Sequence, residues 1–294
     1  MTIAAKHQIS WEEKDNLARD AMIAAMDVRF ELGMDLEEPV CAYTASNKLD
    51  VIVRFVDVDM EGVYLPEESG RILISSGRPF SRRHFTCAHE LGHHIFGHGA
   101  TLDEIRDEAN AFNFRHPNEF TADAFAGHFL MPVVGIRNAV VRRSIDLHKI
   151  MPAHVYALAT EFGVGYDAFL THLAFALKDI TPNQRSELLR SRKAFRSMFK
   201  SEVAGAEIVL VDSHFNSSIL DIEVNHLIIA PKGSVSESDI IKPAGDSPFG
   251  SVFQATRRGT VRMEIPGMSE TLTVRIAPNR FIGLAKFRHL EDEE

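Results

Sequence analysis

Residues 89 to 93 read His-Glu-Leu-Gly-His, inside a stretch whose apolar residues recur at helical spacing. On an α-helix, positions i and i+4 lie about 40° apart, so the imidazoles of His89 and His93 project from one face and can converge on one metal ion. Glu90 is one step further round, too far off that face to be the next ligand but close enough to take a proton from a water beside the ion. The spacing therefore makes Glu90 the general base. Around the motif, Ser81 is the N-cap candidate, Phe85, Ala88, Leu91, Gly92, Ile95 and Phe96 form an apolar set at mixed i+3/i+4 spacing, and Gly97 is a helix stop. A chain that buries such a helix must bring it a further ligand. The bland alternative is a core helix that happens to hold histidines, and the segments downstream weigh against it.

A zinc site needs a third protein ligand. Glu119 opens a second helical run that ends at Leu130-Met131-Pro132, where proline stops it, and is the candidate. Asp123 lies one turn later on the same face, placed to accept the free ring N–H of a ligating histidine and so fix its tautomer. Ala122 and Ala126 are small enough to let two helices approach closely around the ion. The competing reading of Glu119 is a solvated carboxylate near a helix N-terminus.

The remaining histidines of this region read differently. His94 and His98 form an i,i+4 pair on another face, with no glutamate following His94. Gly97 and His98 are out of step with the longer H-E-x-x-H-x-x-G-x-x-H pattern, so His98 reads as a capping residue or as a partner of a ligand. His84, His116 and His128 read as structural or exposed, with His116 of most interest because it sits just ahead of Glu119.

The run Arg83-His84-Phe85-Thr86-Cys87-Ala88-His89-Glu90-Leu91-Gly92-His93, then Gly97-His98, then Glu119-x-x-Ala122-Asp123-x-Phe125-Ala126 and Leu130-Met131-Pro132, resembles the ImmA/IrrE-type metallopeptidases. The resemblance spans residues 38–175 and includes the strands expected at Val51 to Asp57, Gly62 to Tyr64 and Arg71 to Ile74. It implies that His89, His93 and Glu119 hold Zn2+ and that Glu90 is catalytic. It also implies an intracellular enzyme that cleaves or inactivates a helix-turn-helix repressor and so switches on stress-response or mobile-element genes. Substrate identity does not transfer with a motif. The rival is a non-proteolytic anti-repressor, in which zinc is structural and the repressor is only sequestered; an intact Glu90 argues against it. For the group that steadies the oxyanion, Tyr64, His116 and His154 are the candidates.

Composition fits a cytoplasmic enzyme. The start of the chain, Met1 to Glu13, has no apolar stretch after a basic one, and no segment approaches eighteen uninterrupted apolar residues, so neither a signal peptide nor a membrane span is expected. Two cysteines, Cys41 and Cys87, are too few for a disulfide scaffold, and Cys87 points nearly opposite His89. The net charge of −9 argues against wholesale nucleic-acid binding.

At 294 residues more than one unit is expected. The fold class is α+β: an N-terminal helical segment (1–37), a zincin-like peptidase domain (38–150) with a short antiparallel sheet and the H-E-x-x-H helix, a helical helix-turn-helix-like extension (151–200) and a β-rich C-terminal domain (203–294). Ser10-Trp11-Glu12-Glu13 reads as a capping box opening a helix to Leu32, and a helix led by Pro39 follows. Zincins commonly lay their substrate along an edge strand, for which Gly62 to Leu65 is the candidate. The acidic turn Pro66 to Gly70 beside it would favour a basic substrate. Leu158 to Leu170 has a helix-turn-helix pattern, but its second helix, Tyr166 to Leu177, carries no Lys or Arg and so reads as a packing element. The cluster Arg185, Arg190, Arg192, Lys193, Arg196 and Lys200 reads as a solvated helix face, so direct DNA binding is not expected. After Glu202 the period turns to alternation, with strands at 208–211, 219–224, 227–230, 252–256, 261–265 and 271–276, hairpin turns at Arg258-Gly259 and Pro266-Gly267, and a loop or lid over Pro231 to Gly250.

Overall fold

Ser10 caps the first helix as its sequence predicts, its hydroxyl accepting the Glu13 N–H at 3.2 Å. The computed structural model describes residues 9–102, 116–199 and 206–290; Lys200 and the boundary near residue 203 lie outside them. Helix α1 (Trp11–Glu31) leads to α2 (Ala42–Lys48), β1 (Ile52–Val56), β2 (Gly62–Leu65), β3 (Arg71–Ser75) and α3 (Phe80–Ile95). Strand β4 (Thr101–Leu102), α4 (Pro117–Leu130), α5 (Val133–Arg142), α6 (Pro152–Glu161), α7 (Tyr166–Thr171) and α8 (Pro182–Arg196) follow. The C-terminal part carries β5 (Ile208–Leu210), β6 (Ile219–Glu223), β7 (Leu227–Ala230), β8 (Val235–Ser236), β9 (Ile241–Ser247), β10 (Gly250–Ala255), β11 (Gly259–Glu264), β12 (Leu272–Ala277) and β13 (Gly283–Leu284).

The first sheet runs β13-β1-β3-β2-β4. It is mixed, not antiparallel throughout, because β1 and β3 are parallel, from Ile52↔Arg71 to Val56↔Ser75. The β2 strand inserts itself antiparallel beyond β3, leaving β1 and β3 as neighbours that run the same way. Helix α3 packs on this sheet and α4 packs on α3. The approach is close because Gly92 faces Ala122, where a Cβ would come within 3.1 Å of the Ala122 Cα. The N-terminal helix is part of the same core: Ala21, Ala25 and Val28 pack with Phe125 and Phe129 of α4. Arg29, fully buried, donates to the carbonyls of Phe129 (2.6 Å), Asp35 and Glu38, so a carbonyl near the end of α4 finds its partner in α1.

Pro132 both ends α4 and caps α5. The turn between α6 and α7 has Gly163 at φ +63°, the left-handed region that a glycine occupies at no steric cost. Both helices bury apolar faces in the main core, as does α8. Arg185 bonds Thr171 Oγ1, Arg192 pairs with Asp167 at 2.7 Å and Arg196 donates to the Ala206 carbonyl. Half of the basic cluster is thus committed to packing, leaving Arg190 and Lys193 as exposed members.

The C-terminal strands build two four-stranded sheets, β5-β7-β10-β9 and β6-β12-β11-β8, packed through Leu220, Ile222, Ile228, Phe253, Met263, Val274 and their neighbours. Two expectations are corrected here. Arg258-Gly259 is not a hairpin turn, since β10 and β11 belong to different sheets and Gly259, at φ +140°, carries the chain across. Pro231 to Gly250 is not a loop: it holds β8 and β9, the latter paired with β10 through a bulge at Val252/Phe253. Pro, Gly, Ser and Asp are tolerated in β9 because it is an edge strand, exposed over Lys242 to Asp246.

The β-rich part is also less separate than alternation alone suggests. Strand β7 is buried on both faces, Ile228 and Ala230 toward the sandwich and Leu227 and Ile229 in the main core with Ile208, Leu210 and Val252. The chain then returns to the first sheet, where β13 pairs with β1 (Arg54↔Leu284) and Ala285 enters the main core. Arg288 reaches Asp221 of β6 at 3.0 Å and Cys41 Sγ at 3.4 Å.

No single helix among the described residues is long and apolar enough to cross a membrane; α4 and α5 reach that length and composition only as a pair bent by 41°.

Candidate metal centre

Helix α3 is buried along most of its length, with His89 2%, Glu90 0% and His93 0% exposed. Its two histidines turn toward α4. The Nε2 atoms of His89 and His93 are 3.0 Å apart, and the two carboxylate oxygens of Glu119 lie 3.5 Å from one or the other. Among the described residues these three form the group whose ligand atoms all lie within 4.8 Å of one another. Ligands of one tetrahedral zinc, with bonds of about 2.0–2.2 Å, stand roughly 3.3–3.6 Å apart, so the donor set fits that ion in kind and the two histidine–glutamate separations fit it in spacing, while the histidine nitrogens at 3.0 Å are closer than that range. Glu119 is in the first turn of α4, which Pro117 starts at N1. Its side chain is 23% exposed against 0–3% for the histidines, so the centre opens on the α4 side.

The outer partners follow. Asp123 Oδ1 lies 2.5 Å from His89 Nδ1, one turn beyond Glu119, where the sequence places it. His98 Nδ1 lies 2.9 Å from His93 Nδ1. Glu90 reaches the sheet. Its carboxylate is packed against β2 at Gly62, where a Cβ would fall 2.8 Å from Glu90 Oε1 and 2.6 Å from Thr86 Cγ2. The role of Gly62 escapes a motif search, although a glycine inside a strand is itself a signal of close approach. Beside it, buried Glu61 pairs with Arg78 (3.1 Å) and Arg82 (2.8 Å), tying β2 to the start of α3.

Each oxyanion candidate has surroundings of its own. The Tyr64 hydroxyl bonds His94 Nδ1 at 2.9 Å, one turn past Glu90, and burial raises its pKa. His116 is the exposed N-cap residue of α4. His154 serves its own helix, Nδ1 accepting the Met151 N–H at 3.3 Å. The strand nominated for substrate pairing is also not free, because β4 covers β2 at Val63 and Tyr64. The acidic turn is partly neutralised by a surface pair, Glu67 with Arg71 at 3.0 Å.

The other end of α3 is held by the C-terminal strands. Ser81 lies inside the helix, after the N-cap Pro79, and is not the cap the sequence suggests. Instead the Glu207 carboxylate accepts the Ser81 N–H (3.3 Å) and hydroxyl (3.0 Å), satisfying a helix N-terminus from 126 residues away. Two residues on, Arg83 pairs with Glu223 of β6 at 2.5 Å, both buried. His84 is structural: Nε2 accepts the Ala42 N–H (2.9 Å) and Nδ1–H donates to the Gly163 carbonyl (2.8 Å). Of the thiols, burial drives Cys87 well above the usual range. At Cys41 burial also raises the pKa, but the neighbouring His84 and the Arg288 charge outweigh it and bring the thiol down to about 6.

Residues 47–173, which carry the trio, Glu90 and both outer partners, match the description of an IrrE N-terminal-like domain, family Peptidase M78. This segment is similar to that domain. The matched region takes in the first sheet other than β13 and the helices from α3 to α7, while α1, α8 and the β-sandwich lie outside it. A Mycobacterium tuberculosis transcriptional regulator of solved structure is similar at 20% identity and a TM-score of 0.35, over 57% of this chain and 49% of that one. The chain thus spans about half the length of that relative. No curated protein matches it.

Proposed function

We propose that the chain is a zinc-dependent endopeptidase, cytoplasmic, that cleaves a helix-turn-helix transcriptional repressor and so derepresses stress-response or mobile-element genes. The M78 domain supports a peptidase of the IrrE/ImmA type, and the repressor as substrate is what the resemblance of the motifs implies. The observation that carries the reading is Glu90: a fully buried carboxylate on the metal helix, turned off the face that holds His89 and His93. A purely structural metal site has no use for it.

His89, His93 and Glu119 would hold the ion, with Asp123 fixing the ring of His89. Zinc, when bound, supplies a Lewis acid that polarises the scissile carbonyl and lowers the pKa of a water toward ~7. Glu90 takes the proton of the attacking water and delivers it to the leaving amine, so the same side chain serves as base and then as acid. Gly62 keeps the β2 backbone close behind that carboxylate, which limits its rotamers and aims it.

The test pairs two variants on the full chain, assayed by intact mass against the helix-turn-helix repressor encoded nearest the gene. Glu119→Ala is expected to lose zinc. Glu90→Gln is expected to keep zinc and fold and to leave the repressor whole. Repressor inactivation undiminished in Glu90→Gln would favour the sequestering anti-repressor and end the peptidase reading.

A further inference from the structure

A histidine that coordinates through Nε2 carries its proton on Nδ1 and needs a fixed acceptor there. For His89 that acceptor is Asp123. For His93 the atom at Nδ1 belongs to another imidazole, that of His98, at 2.9 Å. The chain builds this contact locally. Helix α3 ends in a Schellman turn: Gly97 sits at φ +61°, its N–H donates to the His94 carbonyl at 3.1 Å, and the His98 N–H donates back to the His93 carbonyl at 3.0 Å. The turn returns residue 98 over residue 93. The His98 ring is then steadied by stacking on Phe96, at 5.8 Å and 22°, and Phe96 packs edge-on against Phe125 of α4.

Two Nδ1 atoms at that distance share one hydrogen. If His93 offers Nε2 to the ion, the hydrogen belongs to His93 Nδ1, and His98 must accept it with a bare Nδ1 while keeping its own proton on Nε2. The opposite tautomer would put a hydrogen on His93 Nε2, pointing into the 3.0 Å gap toward His89. We propose that His98 is a positioning residue for the metal centre, the acceptor that fixes the tautomer and ring plane of His93 as Asp123 does for His89. This rests on the zinc-ligand reading of His93.

The experiment measures zinc affinity by chelator competition on the full chain, alongside the visible spectrum of the cobalt-loaded protein and the thermal stability of the metal-free protein. His98→Phe keeps a ring to stack on Phe96 and removes the acceptor. His98→Asn places an amide oxygen near the position of Nδ1. The expected result is a zinc affinity lowered roughly 10–100-fold in His98→Phe, with a shifted cobalt spectrum and unchanged metal-free stability, and recovery to within a few-fold in His98→Asn. Wild-type affinity in His98→Phe, or equal loss in both variants, would overturn the proposal. His93→Ala, run in parallel, separates the two readings. Undiminished zinc binding in that variant removes the ligand assignment itself, whereas loss there with wild-type binding in His98→Phe removes only the role of His98.

Discussion

Glu223→Ala tests whether the β-sandwich holds α3. Arg83, six residues before His89, is 2% exposed, and its guanidinium lies over the rings of Phe55 (5.4 Å) and Phe80 (5.5 Å) with Glu223 at 2.5 Å as its counter-charge. Deleting the carboxylate leaves a cation in a site it cannot leave without opening the junction. Breaking a buried pair from one side costs about 3–5 kcal/mol, a large share of the 5–15 kcal/mol that holds a typical domain. With a denaturant slope of about 3 kcal/mol per M in urea, the midpoint should fall by more than about 1 M. Far-UV circular dichroism is the probe, since the single tryptophan, Trp11, is 85% exposed and insensitive to the core. Replacing both partners, Arg83→Met with Glu223→Leu, should recover most of the loss, because an apolar pair needs no counter-charge. A single-variant loss below about 1 kcal/mol would mean that Arg83 reaches water and that the sandwich does not grip α3 in solution.

Gly62→Ala should leave zinc occupancy intact and lower peptide cleavage at least tenfold, read as kcat at saturating substrate, because the new methyl lands on Glu90 and Thr86. A chain ending at Phe199 should fail to fold by circular dichroism, since it strips Ser81 of Glu207, Arg83 of Glu223 and β1 of β13. Burial pushes His172 and His226 down to about 3 and His128 to about 4, so these rings are neutral when folded and take up protons when unfolded. Their contribution is complete above about pH 6.5 and is lost as pH falls from there toward 4 for His128 and toward 3 for His172 and His226, by up to about 1.4 kcal/mol per pH unit for each, which urea melts at pH 7 and pH 5 would read. Cys41 should alkylate with a pH midpoint near 6, and Cys87 only after unfolding, as mass-resolved iodoacetamide labelling would measure.

What the sequence conveys about this site is what a helix makes local. His89, Glu90 and His93 are fixed by one periodicity, Glu119 and Asp123 by another, and the small residues Gly92 and Ala122 mark where the two helices touch, so five positions can be read from spacing alone. The contacts that decide how α3 is held have no such period. Glu207 caps it from 126 residues away, Glu223 balances Arg83 from a strand whose alternation explains only Leu220 and Ile222, and β13 is two residues long. A carboxylate in a β-rich stretch looks the same whether it faces water or a buried guanidinium. Composition misleads in the opposite direction at β9, where Pro243 and Gly245 read as a loop although an edge strand accepts both. The consequence is a division of labour along one helix. Its C-terminal half carries the proposed ligands and base and is legible, while its N-terminal turn is completed by residues that only the folded chain brings to it. A change in the sandwich at Glu207 or Glu223 therefore acts on the helix that presents His89, Glu90 and His93 without touching any of them.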